Sequence, residues 1–279
     1  MQDFLSKPLS PTRAYSFNDC QLLFRYRTID KLPERPGAAA FKGTLIHSVL
    51  EDMFDLPASD RTLDTVSGLL PAALEKFLAE EPEVAFAIDE SLEWPGGASE
   101  PSVESQQLLL SSARSLTAKY FTLEDPRTLN PSEREHHVEV ELGAQKIHGI
   151  IDRVERTAAG DIRISDYKTG KSPKPAWAHK YWFQMKFYAL LLWKSEGVLA
   201  RELRLLFLGD GVVLRHSPTL EEIVSFETEV LELAARIKAA VLAGTFAPKP
   251  SKLCDWCSFQ KLCPAQGGIE LPLPYSPTS

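Results

Sequence analysis

The chain has 279 residues, of which 44% are hydrophobic and 25% charged, and its net charge is −7. These values mark an ordinary soluble globular protein of one large domain or two small ones, and no apolar run is long enough to span a bilayer. The negative charge does not by itself mark a nucleic-acid binder. Residues 1–7 lack the basic-then-apolar layout of a signal peptide, so a cytoplasmic location with reduced thiols is expected.

In chain order, residues 16–28 read as a short helix carrying Cys20, and Pro33 to Gly37 as a break. Leu45, Ile46, Val49, Leu50, Met53 and Phe54 recur at helical spacing, which predicts an amphipathic helix over 42–55 with His47 and Glu51 on one face. Helices over 62–80 and 103–122 follow, separated by a loop at Trp94-Pro95-Gly96-Gly97. The period then changes. Strands over 138–142, 147–154 and 162–167 form an antiparallel meander. An aromatic-rich helix over 176–195 comes next, then strands over 203–208 and 212–214. A long helix over 219–243 ends at Gly244, a natural C-cap. The proline-rich segment after Cys263 is expected to be disordered. This order predicts one α/β domain with a helical N-terminal part.

Charge is unevenly spread. Between Lys76 and Arg114 there is no basic residue, and between Tyr167 and Ser195 there is no acidic one. The second stretch carries Lys168, Lys171, Lys174, Lys180 and Lys186, a basic stripe able to hold phosphates. The four cysteines are Cys20 and a C-x2-C-x5-C group, Cys254, Cys257 and Cys263. In a reduced compartment they read as metal ligands. Four thiolates suffice for a structural zinc or an iron–sulfur cluster, and spacing alone favours zinc.

The meander holds the chemistry. Gly149-Ile150-Ile151-Asp152-Arg153 is followed by Asp166-Tyr167-Lys168-Thr169-Gly170. Two carboxylates at the ends of adjacent strands can share a divalent cation, and hard oxygen ligands favour Mg2+ or Mn2+. Asp166 and Lys168, two apart, share a strand face, so the lysine can orient a water or stabilise charge on a phosphate. His47 would add a further ligand.

Gly43-Thr44-Leu45-Ile46-His47, Gly149-x-x-Asp152-Arg153, Asp166-Tyr167-Lys168-Thr169-Gly170 and Gln184-x-x-x-Tyr188 together resemble the RecB-type branch of the PD-(D/E)XK nucleases, from Ser16 to Cys263. The resemblance implies a restriction-endonuclease-like α/β core, a central mixed sheet flanked by helices. It assigns His47, Asp152 and Asp166 to the catalytic metal, with the Tyr167 carbonyl as a further donor. Lys168 would serve the attacking water, and Gln184 and Tyr188 would place DNA or active-site groups. The cysteines are similar to those of the iron–sulfur sub-branch that includes the AddB nuclease domain and the RecB-like CRISPR adaptation nucleases. This implies a [4Fe–4S] cluster on Cys20, Cys254, Cys257 and Cys263, with structural Zn2+ as the alternative. Gln21 departs from the sub-branch, which usually has proline there.

The expected layout is a helical part over 1–135, a nuclease core over 136–247, a cysteine cluster over 248–267 and a disordered tail over 268–279. The expected function is a Mg2+- or Mn2+-dependent deoxyribonuclease of DNA repair or recombination. It would act as an exonuclease on single strands or DNA ends, with Lys171, Lys174, Lys180 and Lys186 holding the strand. No nucleotide-binding G-x-x-x-x-G-K-[ST] loop is present, so any helicase would be a separate partner. The alternative is a catalytically silent DNA-binding module or a zinc-clipped interaction module on a nuclease fold.

Overall fold

The computed structural model describes residues 7–96 and 100–276. The expected loop at Trp94 to Gly97 and the expected tail therefore each run partly outside the described residues. The alternating segment forms a five-stranded sheet in the order β1-β2-β3-β4-β5. The strands are β1 Glu133–Leu142, β2 Gln145–Arg156, β3 Ile162–Lys168, β4 Ala200–Phe207 and β5 Val212–His216. Neighbours pair antiparallel across tight turns, except β3 and β4, which run parallel across a long helical connection. The expected mixed sheet is thus present. β1 begins at Glu133 rather than Val138, because charged residues continue the ladder beyond the apolar alternation.

Six longer helices flank it: α1 Pro11–Asp19, α2 Ala38–Asp52, α3 Leu63–Glu80, α4 Val103–Leu123, α5 His179–Glu196 and α6 Leu220–Ala243. Their ends follow local chemistry. Thr62, Ser102 and Thr219 each accept a backbone N–H of the first turn, and Gly244 closes α6 at φ 65°. Alternation along the strands feeds two cores. Ile164, Leu203, Leu205 and Phe207 pack with α1, α5 and α6, whereas Tyr167, Leu206 and Leu208 pack with α2, α3 and α4. The described helices before β1, expected as one helical part, therefore divide between the two faces of the sheet.

Two local expectations are corrected. The helix expected over 16–28 starts at Pro11 and breaks at Cys20, which is extended at φ −163°, before helical structure resumes over Gln21–Phe24 and continues as a π-helical turn over Arg25–Ile29. The tail is not free as far as it is described. The buried Arg25 donates to Glu270 Oε1 and to the carbonyls of Leu271 and Pro272, and Tyr275 donates to the Val241 carbonyl. Prolines suppress regular structure but leave carbonyls to accept such bonds. Among the described residues, no helix is long and apolar enough to cross a membrane.

Candidate active site

The turn between β2 and β3 sets Asp152 beside the C-terminal end of β3, where the Tyr167 N–H donates to Asp152 Oδ2 at 2.8 Å. His47 reaches the same place from α2. Its Nε2 lies 2.9 Å from the Tyr167 carbonyl oxygen and its Nδ1 lies 3.4 Å from Asp152 Oδ2. On β3, Lys168 Nζ sits 2.7 Å from Asp166 Oδ2 and donates to Gln184 Oε1 at 2.8 Å. Gln184 Nε2 in turn donates to the Tyr188 hydroxyl at 2.7 Å. The four sequence motifs therefore meet at one spot. Gly149 makes room for it: a Cβ there would lie 2.8 Å from Leu191 Cδ1 and 3.0 Å from the Tyr188 ring.

A residue missed in the sequence completes the site. His47, Glu135 and Asp152 have ligand atoms all within 4.8 Å of one another. Arg134 faces Arg153 and His136 faces Ile151 across β1 and β2, so the register sets Glu135 opposite Asp152. Glu135 has φ 40°, a left-handed conformation uncommon for a residue with a side chain. Two carboxylates directly opposite repel each other, which a cation between them would relieve. Glu135 is one of four glutamates on β1, with Glu133, Glu139 and Glu141, and nothing in their spacing distinguishes it. Glu51, on the helix face of His47, lines the same small cleft.

The electrostatics are those of a site short of positive charge. Burial, and then the neighbouring Asp166, push the Asp152 carboxyl up to about 7 against the opposing pull of His47 and Lys168. Burial likewise raises Glu135. Burial works against the Lys168 ammonium, yet Asp166 and Asp152 hold it above the usual lysine value. Burial and the same two carboxylates push Tyr188 upward, so it stays a neutral phenol. Among the described residues, both Asp166 oxygens are buried and accept no hydrogen bond, and Lys168 is the ion-pair partner of Oδ2. Orphaned oxygens beside an imidazole and a carbonyl form a hard donor set that fits Mg2+ or Mn2+.

The expected DNA-holding lysines separate. Lys171 and Lys174 are exposed on the segment that leaves β3, and Lys180 is exposed near the start of α5. That segment is held down by Asp210, which accepts from the Ser172 N–H and hydroxyl, and by Gly209, whose approach to Gly170 leaves no space for a Cβ. Lys186 does not join them. It lies two residues from Gln184, on the opposite side of the helix, 3.6 Å from Glu222.

At the far end of α1, all four cysteines are unlinked and line one cavity of about 260 Å³ with Leu23, Tyr26 and Phe259. The two chain ends are already tied there. Lys249 donates to the Asn18 carbonyl, and Gln21 Oε1 accepts the Ala247 N–H at 3.3 Å. The departure at Gln21 thus adds a tie between the chain ends.

Comparison with known proteins agrees with this geometry. A profile of the PD-(D/E)XK nuclease superfamily matches residues 8–264, and the chain belongs to that superfamily. The Gene 69 protein of Mycobacterium phage D29 is 24% identical over 269 residues, which is 91% of this chain and 96% of that protein. The Gene 69 protein of Mycobacterium phage L5 is 29% identical over 128 residues, and this match spans 45% of this chain and 42% of that one. A crystal structure of a candidate exonuclease from Eubacterium rectale superposes with a TM-score of 0.56 at 14% identity, covering 99% of this chain and 93% of the other. That likeness establishes the shared fold.

Proposed function

We propose that the chain is a RecB-like, Mg2+- or Mn2+-dependent DNA nuclease that hydrolyses phosphodiesters of single strands or DNA ends in repair or recombination. The observation that carries this reading is the convergence of His47, Glu135, Asp152 and the Tyr167 carbonyl beside an intact Asp166–Lys168 pair. His47, Asp152, Asp166, Glu135 and the Tyr167 carbonyl would hold the cation. When bound, such an ion offsets phosphate charge and lowers the pKa of water.

The chain's own residues supply the rest. Lys168 keeps a full positive charge where negative charge grows on the scissile phosphate. Gln184 fixes the ammonium, and Tyr188 fixes the amide of Gln184. Lys171, Lys174 and Lys180 are placed to bind backbone phosphates of the strand. A silent DNA-binding module would be expected to lack one of these groups, and all are present. Any helicase or repair protein would act as a separate partner.

For the cysteines we favour a [4Fe–4S] cluster. The four free cysteines line one cavity, and their pattern resembles that of the iron–sulfur sub-branch, which supports this reading.

The test is incubation of the anaerobically purified protein with end-labelled single- and double-stranded DNA and Mg2+ or Mn2+, beside Asp166→Ala. Metal-dependent cleavage by the parent alone is expected. Equal cleavage by the variant would remove the assignment.

A further inference from the structure

Arg153 follows Asp152 directly and Tyr167 lies between Asp166 and Lys168, so strand alternation turns both side chains away from the site, toward α4. Both are buried. There Arg153 Nη1 donates to the Tyr167 hydroxyl at 2.7 Å. The same guanidinium grips Glu124 with two bonds, Nη1 to Oε2 at 2.8 Å and Nη2 to Oε1 at 2.9 Å, and also reaches Ser165 Oγ. Arg204 of β4 closes on Glu124 Oε1 at 2.6 Å. Glu124 is the C-cap of α4, the extended residue that follows its last helical position. The Tyr167 ring stands edge-on between His47 and Tyr120, with centroids 5.8 Å away on each side.

This ion pair is a poor choice if stability is its purpose. Burying charges costs much of what their attraction returns, and apolar residues of similar volume often serve a core as well or better. What the pair does provide is direction. A guanidinium held by both carboxylate oxygens has one orientation, and so does the phenol bonded to it. Tyr167 is also the junction of the metal site, because its N–H holds Asp152 and its carbonyl meets His47. Rotation of the Tyr167 side chain would therefore shift the peptide groups that set both ligands.

We propose that Glu124 and Arg153 are positioning residues for the metal site, acting through Tyr167, so that α4 bears on the ligand geometry without supplying a donor atom of its own. The inference rests on the metal-site reading above but not on the identity of the substrate. The effect is that of an outer layer of hydrogen bonds on metal ligands, whose loss weakens binding about 10- to 100-fold.

The test titrates Mn2+ into the full-length protein and follows the electron paramagnetic resonance signal of free Mn2+. Tyr167→Phe removes one hydroxyl, and Glu124→Gln removes one charge. Each should weaken Mn2+ binding about tenfold with an unchanged circular dichroism spectrum, and the double variant should be no weaker than the worse single one. Arg35→Ala serves as the control. Arg35 ties the carbonyls of Phe86, Asp89 and Leu92 in the same helical layer. Its loss should lower Tm and leave Mn2+ affinity in place. Parent-like Mn2+ binding by Tyr167→Phe and Glu124→Gln would overturn the proposal, as would an equal weakening in Arg35→Ala. A parent protein that binds Mn2+ but leaves DNA intact would overturn the nuclease assignment and leave this one standing.

Discussion

Around Asp152 the protein holds its own ligand atoms in place. Each donor is fixed by a neighbour: Asp152 by the Tyr167 N–H, the Tyr167 carbonyl by His47, and Lys168 by Asp166 and Gln184. Around the cysteines the ties are fewer. Cys254 Sγ accepts the Ser251 N–H at 3.4 Å, four half-buried thiols face a cavity, and the ties between Lys249 and Asn18 and between Gln21 and Ala247 lie beside it. In the proposed reading, the first region carries the chemistry, and the second, which brings Cys20 to residues more than two hundred positions away, carries cohesion through the cluster it would hold.

The sharpest way to break this contrast is Lys168→Ala. Removing a charge aimed at the phosphate should cut cleavage about 100- to 1,000-fold with iron content unchanged, while Tm falls because the buried Asp166 loses its ion-pair partner. A gel of end-labelled DNA reads the rate. Loss of iron together with rate would mean that the two regions are not separable.

Next in size is the opposite experiment. Cys257→Ser should lower Tm by about 5–10 °C, since each kcal/mol lost moves a chain of this size by about 2–4 °C. Below the transition, Mn2+ affinity should match the parent. If Cys257→Ser left Tm in place but abolished Mn2+ binding, the division of roles would be reversed.

pH separates the regions more gently. In the metal-free fold Asp152 holds its proton more tightly than the unfolded chain does. Its contribution to stability is therefore present at low pH and lost as pH rises from the ordinary aspartate range to about 7. The raised Glu135 acts in the same direction. A bound cation competes with those protons, so the Tm increase caused by Mn2+ should grow between about pH 5 and about pH 7 and then level off. An increase that ignores pH would show that the carboxylates near Asp152 are not the ligands.

The smallest effect concerns the strand. Replacing Lys171 and Lys174 with alanine should raise KM for DNA and flatten its salt dependence by roughly one unit of slope for each phosphate left without its lysine. Lys186→Ala, which breaks the ion pair with Glu222 and the contact with the Phe226 ring, should leave both unchanged. A salt slope that moved with Lys186 instead would redraw the path of the DNA.

Much of the site was legible in the sequence because its parts are local. Asp166 and Lys168 share a face by strand period, Gln184 and Tyr188 by helical period, and structure brings both pairs together. Glu135 was not legible. It stands among three similar glutamates, and its selection depends on a cross-strand register and a φ of 40° that no spacing encodes. Lys186 was misplaced for the opposite reason. A run of lysines on one segment reads as one stripe, but the helix turns Lys186 away from Gln184. The tail misled because prolines signal irregular backbone, and an irregular backbone can still dock when a buried arginine donates to its carbonyls.

By itself the sequence determined the order of elements, the mixed α/β class, the motif residues and the set of four cysteines. The order and α/β class follow from periodicity, capping chemistry and residue type within a few turns of chain, and the mixed sheet and full motif set from the resemblance those motifs carry. Only the tertiary structure decided that the described helices before β1 split across both faces of the sheet, that Glu135 joins His47 and Asp152, and that Glu124 reaches Arg153 behind Tyr167. These pairings join elements far apart in the chain. They are set by which apolar faces pack together and in what register, and that is a property of the whole core.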